Sequence, residues 1–202
     1  DAVVGGIDSQ SLDVAQTQQG DQDRAIPLIL AIVFLVLVIL LRALVAPILL
    51  LLTVVASFFA SLGAGWLLFQ YVFGFPAVDT SVSLFSFLFL VAPGVDYNIS
   101  LVTRAREAAA EHGTREGMVR ALASTGGVIT SAGILLAAVF AVLGVLPLIT
   151  LTQIGIIVCI GVLLDTLLVR TLIVPSLAIL TGERFWWPGR ALSVGAAVRL
   201  GR

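Results

Sequence analysis

Asp96, Tyr97 and Asn98 place a carboxylate, a phenol and a carboxamide inside V-A-P-G-V-D-Y-N-I-S-L, residues 91–101, within an apolar run that begins near Ser81. On the milder insertion scales a carboxylate near the bilayer centre is unfavourable by roughly 2.5–3.5 kcal/mol, so acids found there line a bundle interior or an ion pathway. Asp96 therefore has the chemistry of a proton carrier; the competing reading is a hydrogen-bonded Asp that joins helices. It precedes Arg104 by eight residues. At 1.5 Å per residue that puts it about 12 Å above the nearer interface, close to the middle of a core roughly 30 Å thick. Adjacent residues on one helix do not face each other, so Asp96 and Tyr97 should serve different neighbours, one of them on a partner helix. Pro93 and Gly94, just upstream, free a backbone carbonyl and predict a kink beside the acid.

A second acid, Asp165, lies five residues before Arg170 in the last apolar run. Its position in the inner third of that run predicts a structural ion pair, Asp165 with Arg170, nearer the cytosol than Asp96. Thr130 and Ser131 have the depth to support the Asp96 region, although small hydroxyls in membrane helices commonly bond their own backbone. His112 beside Glu111 has no second His or Cys near it to complete a metal set, so no metal and no cofactor is expected. Cys159 is the single cysteine, which excludes a disulfide framework and a thiolate metal site.

These side chains need membrane helices to hold them. The 202 residues are 59% hydrophobic and 11% charged, far more apolar than the roughly 45–50% of a soluble domain. The expected fold is all-α, a bundle of five transmembrane helices. Residues 1–24, polar and opening without a signal-peptide pattern, read as the end of an external soluble domain and its linker, so that the chain looks like part of something longer. Residues 25–181 form the bundle, with spans at about 25–45, 47–73, 80–103, 125–146 and 150–174. Pro27 and Pro47 suit the first turns of the first two spans, where a missing N–H costs nothing. Ser57, Ser61 and Gly65 give the second span one face of small residues, and Gly126, Gly127, Ser131, Ala132 and Gly133 do the same for the fourth. Asp79 and Ser81 suit a helix start. Residues 182–202 read as an interfacial tail in which Glu183, Arg184, Trp186, Trp187 and Pro188 form an amphipathic anchor.

All eleven basic residues are arginines. With five spans, Arg42, Arg104, Arg106, Arg115, Arg120, Arg170, Arg184, Arg190, Arg199 and Arg202 fall on one side and only Arg24 on the other. The positive-inside rule then makes the Arg104–Arg120 linker and the C-terminus cytosolic; the missing lysines fit a GC-rich bacterium, so the expected location of this multi-pass protein is a bacterial plasma membrane.

Four motifs in order, G-V-D-Y-N-I-S-L-V-T-R-A-R-E at 94–107, G-G-V-I-T-S-A-G at 126–133, G-V-L-L-D-T-L-L-V-R at 161–170 and W-W-P at 186–188, resemble the C-terminal membrane half of the MMPL (mycobacterial membrane protein large) transporters of the resistance-nodulation-division superfamily. The resemblance covers nearly the whole chain. It implies that the spans correspond to the eighth to twelfth of twelve helices. It also implies that Asp96 and Tyr97 form half of a proton relay with a matching pair on the fourth helix. Pro93 stands where a small or apolar residue such as Leu or Gly is expected, and Ser100 where Phe is common. Drug-effluxing relatives carry a basic residue in the corresponding helix, and this span has none.

The resulting expectation is the membrane half of a proton-motive-force-driven exporter of lipids or other hydrophobic compounds. It is not an enzyme. Its partners are the lipid bilayer, the N-terminal membrane half and external domains of the same protein, and a hydrophobic or lipid cargo, with no nucleic acid. Two alternatives use the same residues: a sterol-sensing-like receptor or scaffold, and an intramembrane aspartyl protease built on Asp96 and Asp165. The protease is disfavoured because G-V-D-Y is not G-x-G-D and the two acids are expected at different depths.

Overall fold

The computed structural model describes residues 7–74 and 79–188. Arg190, Arg199 and Arg202 of the expected tail lie outside the described residues. Among the described residues the chain is helical apart from short turns, with no strand, and five of its helical stretches are long and apolar enough to cross a membrane. In chain order these are α1 (Ile7–Leu41), α2 (Val45–Leu68, widening into a π-helical turn at Phe69–Phe73), α3 (Thr80–His112), α4 (Thr114–Leu143) and α5 (Ile149–Leu164). The last span continues without a break through a π-helical stretch (Asp165–Ile173), α6 (Val174–Thr181) and a closing 3₁₀ turn (Gly182–Trp186).

The helix ends follow from local chemistry. Asp79 caps α3 by accepting a hydrogen bond from the Ser81 N–H at 2.8 Å. Gly113, at φ 83°, supplies the left-handed turn between α3 and α4. Arg42, at φ 44°, takes a similar turn after α1, a conformation that costs a non-glycine residue about 1–2 kcal/mol. Pro47 sits in the first turn of α2 as expected, but Pro27 does not begin its helix. α1 starts twenty residues earlier, at Ile7, and Pro27 lies in its interior. The polar stretch before Arg24 holds good helix formers such as Gln and Ala, so the helix runs beyond the apolar segment that marks the span. α3 and α4 likewise extend past the apolar runs to meet at Gly113.

Small residues set the closest helix contacts. On α2, Ser57, Ser61 and Gly65 are all buried, and a methyl group at Gly65 would come within 2.6 Å of Ile157 on α5. At the α4–α5 hairpin a methyl at Gly155 would lie 2.5 Å from the Gly144 nitrogen. On α4 the small-residue stripe divides. Gly133 is buried against Thr166, whereas Gly127 and Ser131 face out of the bundle, and a methyl at Gly127 would meet nothing within 4 Å. One small residue per close crossing is enough, so only Gly133 serves the contact within this bundle.

Two apolar clusters fill the core. The one at the Gly113 end includes Leu41, Leu50, Leu101, Met118, Val174 and Trp186. The one at the opposite end includes Phe58, Phe69, Phe87, Phe140 and Ile157. Trp186 does not anchor at an interface. It is 1% exposed, and its indole N–H donates to Thr114 Oγ1 at 3.2 Å. The Trp187 carbonyl accepts from the Leu44 N–H at 2.7 Å, at the start of α2. A buried indole N–H needs such a partner; Trp187, by contrast, is 60% exposed.

Candidate functional site

Between the two apolar clusters lies a belt of polar groups. On α3 it comprises Gly94 to Asn98, and on the last span Asp165, Thr166 and Arg170. Asp165 Oδ2 and Arg170 Nη2 are 2.6 Å apart, and the residues are 8% and 2% exposed. Five residues separate them, a spacing that points side chains apart on an α-helix. The chain is π-helical over Asp165–Ile173, and its i→i+5 hydrogen bonding sets residues five apart one above the other. The widened helix thus makes the ion pair possible.

The pair closes on α3. Arg170 Nη2 also donates to the Gly94 carbonyl at 3.4 Å, and its guanidinium lies 4.7 Å from the centre of the Tyr97 ring. A cation over the face of a phenol ring is attracted by the ring quadrupole, more strongly where water is excluded. Gly94 and Asp165 are neighbours across the two spans: a methyl at Gly94 would stand in ordinary contact with Asp165 Oδ2, at 3.8 Å. Asn98, one turn along the same face, is buried. Both its side-chain polar atoms, together with Asp165 Oδ1 and Arg170 Nε and Nη1, have no hydrogen-bond partner among the described residues. The apolar part of α3, which has no basic residue before Arg104, thus meets one from the last span.

Arg170 is not at the interface, and this corrects two expectations. It leaves the set of arginines that decide orientation, so Arg42, Arg104, Arg106, Arg115, Arg120 and Arg184 carry the asymmetry among the described residues. It also moves Asp165 to the level of Gly94 rather than nearer the Arg-rich end. The expected ion pair of Asp165 with Arg170 is present, but deeper than expected, because the carboxylate five residues back neutralises Arg170 and the helix runs on to Trp186.

Asp96 faces the other way. It is exposed, and so are Phe85, Phe89, Ala92, Ser100 and Arg104, at three- or four-residue steps along the same side of α3. Small residues, Ala92 and Ser100, flank the acid one turn above and below. Tyr97 is half-buried under Arg170, so the two neighbours in sequence meet different surroundings. Pro93 lies inside α3, which continues as one helix through it. Thr130 on α4 follows Gly113 by as many residues as Asp96 precedes it, which matches their depths; it is half-buried. Ser131 is exposed and its hydroxyl donates to the Val128 carbonyl at 2.9 Å. Sequence reasoning did not foresee Arg170 over Tyr97 or the π-helical stretch. The five-residue spacing of two opposite charges in an apolar run was the available signal.

Comparison with known proteins agrees with this architecture. The MMPL family model matches residues 1–198. A membrane protein of Streptomyces coelicolor is 55% identical over 94% of this chain and 27% of its own length. The apo-petrobactin exporter of Bacillus anthracis is 44% identical over 93% of this chain and 25% of its own length. The sulfolipid-1 exporter of Mycobacterium tuberculosis is 44% identical over 80% of this chain and 15% of its own length. The chain thus spans about a quarter or less of the length of these relatives. With five apolar helices in the order and motifs described, and a family model matched over almost its full extent, the chain belongs to the MMPL family.

Proposed function

We propose that this chain forms the C-terminal membrane half of an exporter of lipids or other hydrophobic compounds, driven by the proton-motive force, in which Asp96 binds and releases the proton. The observation that carries this reading is the outward position of Asp96 at mid-span, on a stripe that no helix of this bundle covers. An acid so placed is costly against lipid and sensible against a partner helix bearing its own polar groups. Ala92 and Ser100 leave room for that helix to approach. Tyr97, half-buried beneath Arg170, follows Asp96 in the relay, with the buried Asn98 and the half-buried Thr130 as polar support. The N-terminal half of the same protein supplies the partner helix, external domains select the cargo, and the Gly113 end is cytosolic. The family's named exporters support export as the activity.

The protease reading loses its second acid, since Asp165 is committed to Arg170 and faces away from Asp96. A sterol-sensing-like receptor would need no proton flux. The deciding experiment reconstitutes the whole protein in proteoliposomes and follows efflux of a hydrophobic cargo with and without an imposed pH gradient. Gradient-dependent efflux is expected, and efflux indifferent to the gradient would reject the proposal. This chain alone should transport nothing.

A further inference from the structure

Where α1 ends, a recess of about 330 Å³ opens between Leu40, Leu41 and Arg42 on one side and Thr103, Arg106 and Glu107 of α3 on the other. Its two guanidiniums are set differently. Arg106 is fastened, its Nη1 donating to the Leu41 carbonyl, one of the carbonyls left over at the end of α1. That bond fixes the side chain and leaves its other N–H groups free to donate. Arg42 is exposed and holds its left-handed turn, where glycine would be the ordinary choice. Neither arginine lies within ion-pair distance of an acid among the described residues. With Glu107 at the rim, the recess carries two positive charges and one negative.

Above the recess the outer face of α1 is apolar for its whole membrane length, with Leu28, Ile32, Val36, Ile39 and Leu40 all exposed. A singly charged head held by the arginines would thus have its hydrocarbon tails lying along α1. We infer that this recess is a binding site for an anionic phospholipid of the leaflet at the Gly113 end, its phosphodiester held between Arg42 and Arg106. Charge complementarity selects a head of net charge −1 over a zwitterionic one. Basic pockets between membrane helices take such head groups, because phosphate accepts several guanidinium hydrogen bonds at once. The site is separate from the polar belt and stands whether or not Asp96 carries a proton.

Arg42→Gly tests it cleanly, since glycine suits the turn and removes only the side chain. The whole protein, purified in a neutral detergent, is titrated with phosphatidylglycerol, and lipid retention is read by native mass spectrometry. Phosphatidylcholine and inorganic phosphate are run as separate arms. We expect retention of phosphatidylglycerol over phosphatidylcholine, no displacement by inorganic phosphate, and about fivefold weaker retention in Arg42→Gly with an unchanged or higher melting temperature. Arg42→Lys should keep most of the retention. Equal retention by Arg42→Gly, or displacement of the lipid by inorganic phosphate, would overturn the inference.

Discussion

The Arg170 guanidinium stands over the Tyr97 ring, 4.7 Å from its centre, and ties the last span to the helix that carries Asp96. Because its Nη2 is shared between Asp165 Oδ2 and the Gly94 carbonyl, the orientation of Tyr97 depends on an ion pair formed within a different span. Removing one member of that pair should strand a charge in an apolar core. Asp165→Asn is expected to lower stability by about 3–5 kcal/mol. Asp165→Leu combined with Arg170→Met should be less destabilised than either single change. Denaturant unfolding in detergent measures this, and strictly additive losses would contradict the coupling.

The close helix crossings predict which glycines tolerate a methyl group. Gly155→Ala would push a methyl onto the backbone of α4, at 2.5 Å from the Gly144 nitrogen and 2.7 Å from the Phe140 carbonyl oxygen. Backbone cannot rotate away as a side chain can, so a loss of about 1–3 kcal/mol is expected. Gly127→Ala, with open space beside it, should be neutral or slightly stabilising. Melting temperatures of the two variants decide the matter.

Trp186 and Trp187 should behave oppositely despite their adjacency. Trp186 is buried and bonded to Thr114, so Trp186→Ala is expected to cost about 3–5 kcal/mol. Trp187→Ala, at an exposed side chain, should stay within about 0.5 kcal/mol of the parent. Comparable losses from both would mean that the closing turn is anchored by lipid instead of by packing.

Much of this was legible in the sequence. Apolar runs gave the five spans, Asp79 gave the start of α3, and the Ser57, Ser61 and Gly65 spacing gave the face of α2 that meets α5. The pairing of Arg170 with Asp165 was legible from their spacing, but its depth was not, because hydropathy treats an arginine as the end of a span. Its place over Tyr97 depends on a local change of helical pitch, which leaves no mark in composition. Trp186 was obscured for a similar reason: tryptophan is common both at interfaces and in cores, and only the Thr114 hydroxyl across the bundle decides between them. Asp96 could be singled out from its depth, but which way it faces depended on seeing the other four helices.

Orientation has its own test. Arg104, Arg106, Arg115 and Arg120 crowd the segment around Gly113, so this end is expected in the cytosol. Gly113→Cys in a background without Cys159 should resist an impermeant thiol reagent in intact cells and react after permeabilisation. Labelling from outside would reverse the assignment.

The central claim is that Asp96 carries the proton, and Asp96→Asn addresses it most directly. Asparagine nearly matches aspartate in volume and still forms hydrogen bonds, but it cannot bind and release a proton. Because Asp96 is exposed in this bundle, its own helices lose no packing. The measurement is cargo efflux by the whole protein under an imposed proton gradient, normalised to folded protein, with Asp165→Asn as the comparison that lowers folded yield more than coupling. The account predicts that Asp96→Asn folds normally and loses gradient-driven efflux. A purely structural Asp96 would cost only about 0.6 kcal/mol, the average for a hydrogen bond between membrane helices, and near-normal efflux from Asp96→Asn would contradict the claim.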